Sequence, residues 1–175
     1  MAASELSPEE SRPEPVRPSA AESAPSVRAY RPSDLDALYH LDQVCFPPGV
    51  AYSRSEIAGY LRRADSKAWV AEAGTGAGIA GFVVASCDPR RQGHIITLDV
   101  APAWRRRAVG SMLMETAEDW VRRQGGEAVL LETAEDNLTA QAFYLRRGYI
   151  RLRRIEDYYG KGQAAWLMGK KIDEP

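Results

Sequence analysis

Apolar positions set a rhythm along this chain, and the rhythm changes several times. The segment 26–30, SVRAY, alternates weakly between apolar and polar, the period of a short strand. From 33 to 46 the period lengthens: Leu35, Leu38, Tyr39 and then Leu41 or Asp42 recur as one loosely apolar helical face. Ser33 stands where an N-cap is expected, Asp36 completes an imperfect capping box, and the FPPG stretch stops the helix. YSRSEIAGYLRRA starts a second helix on a better box, Ser53 with Glu56, and puts Ile57, Tyr60 and Leu61 on one face.

Strand periods come next. Runs over 67–73 and 79–87 flank the turn GTGAG as a hairpin, and a second turn, DPRRQG, leads to a strand over 94–102. A long helix succeeds it, with Val109, Leu113, Thr116 or Ala117, Trp120 and Val121 on one face and Gln124 to Gly126 as a glycine C-cap. EAVLLET, 127–133, is a mostly apolar strand, expected to be covered on both faces. DNLTAQAFYLRRG is a short helix opened by Asp136 or Asn137 and closed by Gly148; strands over 149–155 and 164–172 then form a last hairpin. The one crossover through a helix, from the strand at 94–100 to that at 127–133, requires parallel pairing. The expected class is α/β (α+β): a mixed, mostly antiparallel sheet of about seven strands with helices on both faces.

Composition narrows the partners. The formal net charge of −1 provides no bulk attraction to nucleic acid, so any basic site is local. No RNA-binding aromatic motif accompanies the arginines at 105–107, 146–147 and 151–154, and no nucleic-acid partner is expected. The apolar run near 79–85 is too short to span a membrane, and no membrane partner is expected. Residues 1–25, rich in Pro, Ser, Glu and Ala, are acidic and lack the apolar core of a signal peptide. They cannot bury enough surface to offset their ordering entropy, so a disordered tail precedes one folded domain over 26–175. Cys45 and Cys87 lack metal-ligand spacing and are expected reduced and buried, in a cytoplasmic protein. His40 and His94 are isolated, and no metal site is expected.

The candidate chemistry begins with WRRRAVG at 104–110. Three consecutive arginines, Arg105, Arg106 and Arg107, stand at a helix N-terminus, where the macrodipole already disfavours cations. Two readings stay open on physics alone: a solvated basic turn, or an anion site. The anion site would use the orphan amides of the first turn, small residues for close backbone approach and guanidinium forks for charge. Neither GxxxxGK[ST] nor GxGxxG is present.

The stretch Arg105-Arg106-Arg107-Ala108-Val109-Gly110 resembles the pyrophosphate loop of the GNAT acetyltransferase superfamily, whose pattern is [QR]-x-x-G-x-[GA]. Ala108 replaces the usual glycine, and alanine tolerates positive φ poorly. The element order is similar to that superfamily's from Val27 to about Ile172. The resemblance implies acetyl-CoA as co-substrate, with its pyrophosphate on the amides from Arg106 through Ala108, Val109 and Gly110 to Ser111. It makes Leu98, Asp99 and Val100 the end of a splayed strand whose backbone binds the acetyl carbonyl and the pantetheine arm, an amide there serving as oxyanion donor.

LLETAEDNLTAQAFYLRRGY, 130–149, is similar to the subgroup that acetylates protein N-termini, including ribosomal-protein-alanine N-acetyltransferases. By that resemblance Glu132 is the base, directly or through water, Asn137 contacts CoA, and Tyr144 protonates the leaving thiolate. A carboxylate at the end of an apolar strand is also expected to have its pKa raised by desolvation. Asn137 is equally a plausible N-cap, and Tyr144 could be plain core. DYYGKGQAAWLM resembles the subgroup's substrate-covering hairpin, matching Tyr158 and Tyr159, but Gln163 and Ala164 stand where the subgroup has Glu-Asp. CFPPGVAYS resembles its acceptor-groove loop, with Tyr52 as candidate. The implied activity is acetyl transfer to an amine in a ternary complex, with a protein N-terminus as acceptor. A small-molecule amine acetyltransferase and a non-catalytic acyl-CoA-binding module stay open as alternatives, and neither acceptor identity nor oligomeric state is legible.

Overall fold

A computed structural model describes residues 24–74 and 78–172. The tail expected over 1–25 lies, except for its last two residues, outside the described residues, as does the middle of the glycine-rich turn after 74. The described elements are β1 (Ser26–Ala29), α1 (Leu35–Cys45), α2 (Arg54–Arg62), β2 (Ser66–Glu72), β3 (Ile79–Cys87), β4 (Gln92–Val100), α3 (Val109–Arg123), β5 (Ala128–Ala134), α4 (Leu138–Arg146), β6 (Ile150–Ile155) and β7 (Ala165–Lys171). Short 3-10 turns at Pro32–Asp34 and Pro102–Trp104 lead toward α1 and α3. The strands form one sheet in the order β1-β2-β3-β4-β5-β7-β6. Every pairing is antiparallel except β4 with β5.

Alternation along the strands feeds two cores. On one face Val109, Leu113, Met114, Ala117 and Val121 of α3 pack with Val83, Ala85, Ile95, Val129 and Leu131, and Tyr144 brings α4 into the same cluster. On the other face Leu38 of α1 packs with Val70, Phe82 and Val84, flanked by Tyr60 and Leu61 of α2. Of the two positions left open on the α1 face the structure buries Asp42, together with Leu38, and leaves Leu41 half-buried. Ser33 is not its cap. Proline at 32 favours a 3-10 turn instead, and Asp34 closes that turn by accepting the Arg31 N–H at 2.7 Å. The Ser53–Glu56 box is present: the Ser53 N–H donates to Glu56 at 2.8 Å and the Glu56 N–H to Ser53 Oγ at 3.3 Å.

Two features of β4 shape the centre of the sheet. Ala85 pairs with Ile95 while Val84 pairs with Thr97, so Ile96 is an extra residue that kinks the strand. The parallel pairing joins only Gln92–His94 to Ala128–Leu130 and then stops, although β4 runs on to Val100 and β5 to Ala134. Beyond His94 and Leu130 the two strands part. β5 is therefore covered on one face only: Val129, Leu131 and Thr133 are buried, while Leu130, Glu132 and Ala134 are partly open.

Candidate active site

The parted strands open a cleft of about 880 Å³. Leu98 of β4 and Glu132 of β5 line its two walls, and Asn137 and Tyr144 reach it from α4. Tyr52, between α1 and α2, and Tyr158 and Tyr159, between β6 and β7, enclose it from the α1–α2 face. Seven of the candidate site residues thus line one cavity. Asp99, Val100 and the arginine loop do not line it; they follow β4 out of the cleft to the start of α3.

Glu132 departs from expectation in its electrostatics. Burial does oppose its ionisation, but His94 and Tyr158 outweigh burial and hold the carboxyl below the ordinary glutamate range. His94 Nε2 lies 2.7 Å from Glu132 Oε2. The reading of His94 as isolated is corrected by the register: His94 pairs opposite Leu130, so period two places Glu132 one step further on the same face. That contact depends on which strands pair in parallel, and nothing local to either segment signals it.

Tyr144 is buried against Phe143 and Tyr149, with ring centroids 5.3 and 5.8 Å away. Burial, with Tyr159 and Asp99 adding, pushes its phenol well above the usual range, so it stays protonated. Tyr52 stacks edge-on to Tyr60 at 5.3 Å and points its hydroxyl at the carbonyl of the kinked Ile96, 3.4 Å away. Tyr158 and Tyr159 meet edge-on at 4.8 Å in a turn held by the Asp157 carboxylate, which accepts the Gly162 N–H. Asn137 caps α4: its Oδ1 accepts the Ala140 N–H at 3.0 Å.

At the start of α3 the backbone turns through two left-handed residues, Arg106 and Ala108, each at φ +62°. Ala108 is the N-cap and has no side chain that can cap, so the amides of Val109, Gly110 and Ser111 point out of the helix end without one. Arg105, Arg106 and Arg107 are exposed. Arg105 Nε donates to the Val100 carbonyl at 3.1 Å, tying the loop to the end of β4, and Arg107 lies over the Trp104 ring at 5.2 Å.

Sequence reasoning named Asp99 for its backbone and Asp42 as a position on a helical face, and missed that their carboxyls are buried near one another. Asp42 and Asp99 are both fully buried, and each has one oxygen without a hydrogen-bond partner. Asp42 accepts the Tyr52 N–H at 2.8 Å; Asp99 accepts from Thr97 at 2.6 Å. Burial raises Asp42 to about 6, and Asp99 is pushed well above the carboxylate range by burial with Asp42 nearby. Asp42 on an otherwise apolar helical face was the available signal. Cys45 and Cys87 carry free thiols but are half-buried, not buried, because both sit at element ends. Among the described residues no helix is long and apolar enough to cross a membrane.

The chain is 30% identical over 146 residues to an uncharacterized N-acetyltransferase of Methanocaldococcus jannaschii, covering 83% of this chain and 90% of that one. It is 30% identical over 90 residues to N-alpha-acetyltransferase 30 of Schizosaccharomyces pombe, covering 49% of this chain and 60% of that one. The crystal structure of Ard1 from Thermoplasma volcanium superposes with a TM-score of 0.77 at 27% identity, covering 87% of this chain and all (100%) of that one. The sequence pattern of the acetyltransferase (GNAT) family matches residues 35–149, from the start of α1 to just past α4, and so takes in both parted strands. This chain belongs to the GNAT family of acetyltransferases.

Proposed function

We propose that the protein acetylates protein N-termini, by direct attack of the amine on acetyl-CoA in a ternary complex. The observation that carries the reading is that Glu132 and Tyr144 both line the cleft where β4 and β5 part. Acetyl-CoA supplies the activated thioester. The residues at hand fit it: left-handed turns at Arg106 and Ala108 present the amides of the α3 N-terminus, and exposed Arg105, Arg106 and Arg107 add charge for a pyrophosphate. The backbone of Leu98, Asp99 and Val100 lies on the path from that loop into the cleft. Asn137 keeps its amide nitrogen for the coenzyme while its oxygen caps α4.

In this reading Glu132 takes the proton of the acceptor and Tyr144, held protonated, donates to the departing sulfur. Tyr52, Tyr158 and Tyr159 line the acceptor's side of the cleft. The similarity to N-alpha-acetyltransferase 30 supports a protein N-terminus as acceptor. Free thiols at Cys45 and Cys87 suit a reducing compartment such as the cytoplasm. A small-molecule amine is the second reading, favoured by Gln163 and Ala164 at the rim, where the N-terminal subgroup has two carboxylates.

The test is acetyl transfer from acetyl-CoA to peptides with free N-terminal Ala or Ser, run beside a panel of small amines. Peptide turnover is expected, with Glu132→Gln and Tyr144→Phe each lowering kcat about 10²-fold or more. Turnover of a small amine and of no peptide would replace the first reading with the second.

A further inference from the structure

Glu132 is an incomplete base as it stands. Acetyl transfer to a protonated amine, R–NH₃⁺ + acetyl–S–CoA → R–NH–acetyl + HS–CoA + H⁺, forms one C–N bond, breaks one C–S bond and releases one proton each turnover. The nitrogen gives up two protons in all. One replaces the proton that Tyr144 gives to sulfur, and the other has to leave the cleft. A carboxylate held below its ordinary range is a weak store for that proton. Its side chain is also only 17% exposed, so bulk water reaches it poorly.

His94 answers both needs by position. Its Nε2 is 2.7 Å from Glu132 Oε2, its side chain is 38% exposed, and it does not line the cleft. It sits at the last residue of β4 that still pairs with β5, where two hydrogen-bonded strands fix the separation of imidazole and carboxylate. One step further along β4 the strands diverge, so the imidazole stands behind the point where the cleft begins. Imidazole also has two nitrogens, one of which can accept a proton while the other releases one. The other titratable groups facing Glu132 are phenols: Tyr158 and Tyr159 from the β6–β7 turn, with Tyr52 and Tyr60 coupled to Tyr158 and Tyr52 across the cleft. Burial raises Tyr159 to about 12 and pushes Tyr52 and Tyr158 higher, so these three stay protonated near neutral pH and cannot accept the proton from Glu132.

We infer that His94 is a positioning and relay residue for the transfer reaction, passing the acceptor's proton from Glu132 to solvent outside the cleft. The inference rests on the proposed role of Glu132. Full-length protein is assayed with acetyl-CoA and an alanine-terminated peptide, as wild type, Glu132→Gln, His94→Ala and His94→Gln. His94→Ala is expected to lower kcat at least 10-fold with little change in KM for acetyl-CoA. Its rate should rise with imidazole buffer concentration, which wild type ignores, because the missing ring is replaced from the solvent side. His94→Gln can keep a hydrogen bond to Glu132 but cannot carry a proton, so it should stay as slow as His94→Ala without imidazole. Full activity in His94→Gln would overturn the relay and leave a simple hydrogen bond. Activity retained in Glu132→Gln would instead overturn the role of Glu132 itself. The contact is also read without turnover, by the ¹⁵N resonance of His94 Nε2 in protein free of acetyl-CoA. That resonance is expected to shift in Glu132→Gln, and an unmoved resonance would remove the pair on which the relay depends.

Discussion

At the scale of single residues, Ala108 and Asp42 store costs that can be measured. Ala108 adopts φ +62° at the helix cap, a conformation that costs an L-residue roughly 1–2 kcal/mol. Glycine there removes that strain but has more unfolded-state entropy to lose, roughly 0.5–1 kcal/mol. Ala108→Gly should therefore stabilise the folded protein by about 0.5–1 kcal/mol, read from denaturant midpoints at constant m-value; unchanged or lower stability would show the turn is unstrained. Asp42 makes a pH-dependent prediction. Its folded pKa is raised to about 6 by burial, against roughly 3.9 in an unfolded chain. The folded state thus disfavours the charged form; the penalty is complete above pH 6 and is relieved as pH falls through 6 toward 4. Asp42→Asn keeps an oxygen for the Tyr52 N–H without the charge. Its stability relative to wild type should be better at pH 8 than at pH 5 by about 1 kcal/mol, and a pH-independent difference would rule the buried charge out. Legibility divided along the same line. Glu132, Asn137 and Tyr144 stood out in the sequence because their local segment carries a pattern, and the structure puts all three on the cleft lining. The contact of His94 with Glu132 was not legible, because it forms only when two distant strands come into register.

At the scale of elements the alternation and helical periods carried nearly all of the architecture, including the single parallel crossover, while boundaries and irregularities did not. The bulge at Ile96 has no sequence signature, since an extra residue in a strand looks like any other. Gly93 is the instructive boundary. In the run DPRRQG it reads as turn, yet it lies within β4 and pairs with Val129. Its role there is space: a Cβ would fall 2.6 Å from Val121 Cγ1 of α3 and 3.1 Å from the Ala128 carbonyl. The absent side chain lets α3 press onto the β4–β5 pairing that forms the base of the cleft. Gly93→Ala should push α3 and β5 away from β4, costing about 1–3 kcal/mol of stability. Because the same pairing sets the His94–Glu132 spacing, kcat should fall further than KM for acetyl-CoA rises. A variant as stable and active as wild type would mean that the sheet base tolerates the wedge.

For the whole molecule, the question is what joins its two ends of chemistry, the arginine loop outside the cleft and the acid–tyrosine pair within it. The net charge of −1 supplies no general attraction for a polyanionic coenzyme, so in the proposed reading affinity rests on one helix terminus and three exposed arginines. That terminus lies at the seam of the fold: β4 leads into it, Arg105 ties it to Val100, and α3 packs across the main core. A phosphate-bearing ligand held there would join the loop, the β4 end and α3 into one unit and favour the folded state by mass action. At a CoA concentration 100-fold above its Kd the gain is about 2.7 kcal/mol, or a rise in Tm of roughly 5–10 °C for a domain of this size. Pantetheine has no pyrophosphate for the arginine loop to hold, so at equal concentration it should shift Tm little. The CoA shift should shrink as salt screens the exposed arginines, whereas a shift driven by apolar contacts in the cleft would not. Equal stabilisation by CoA and pantetheine, insensitive to salt, would mean that the arginine loop is a solvated turn and that the cleft alone binds the coenzyme.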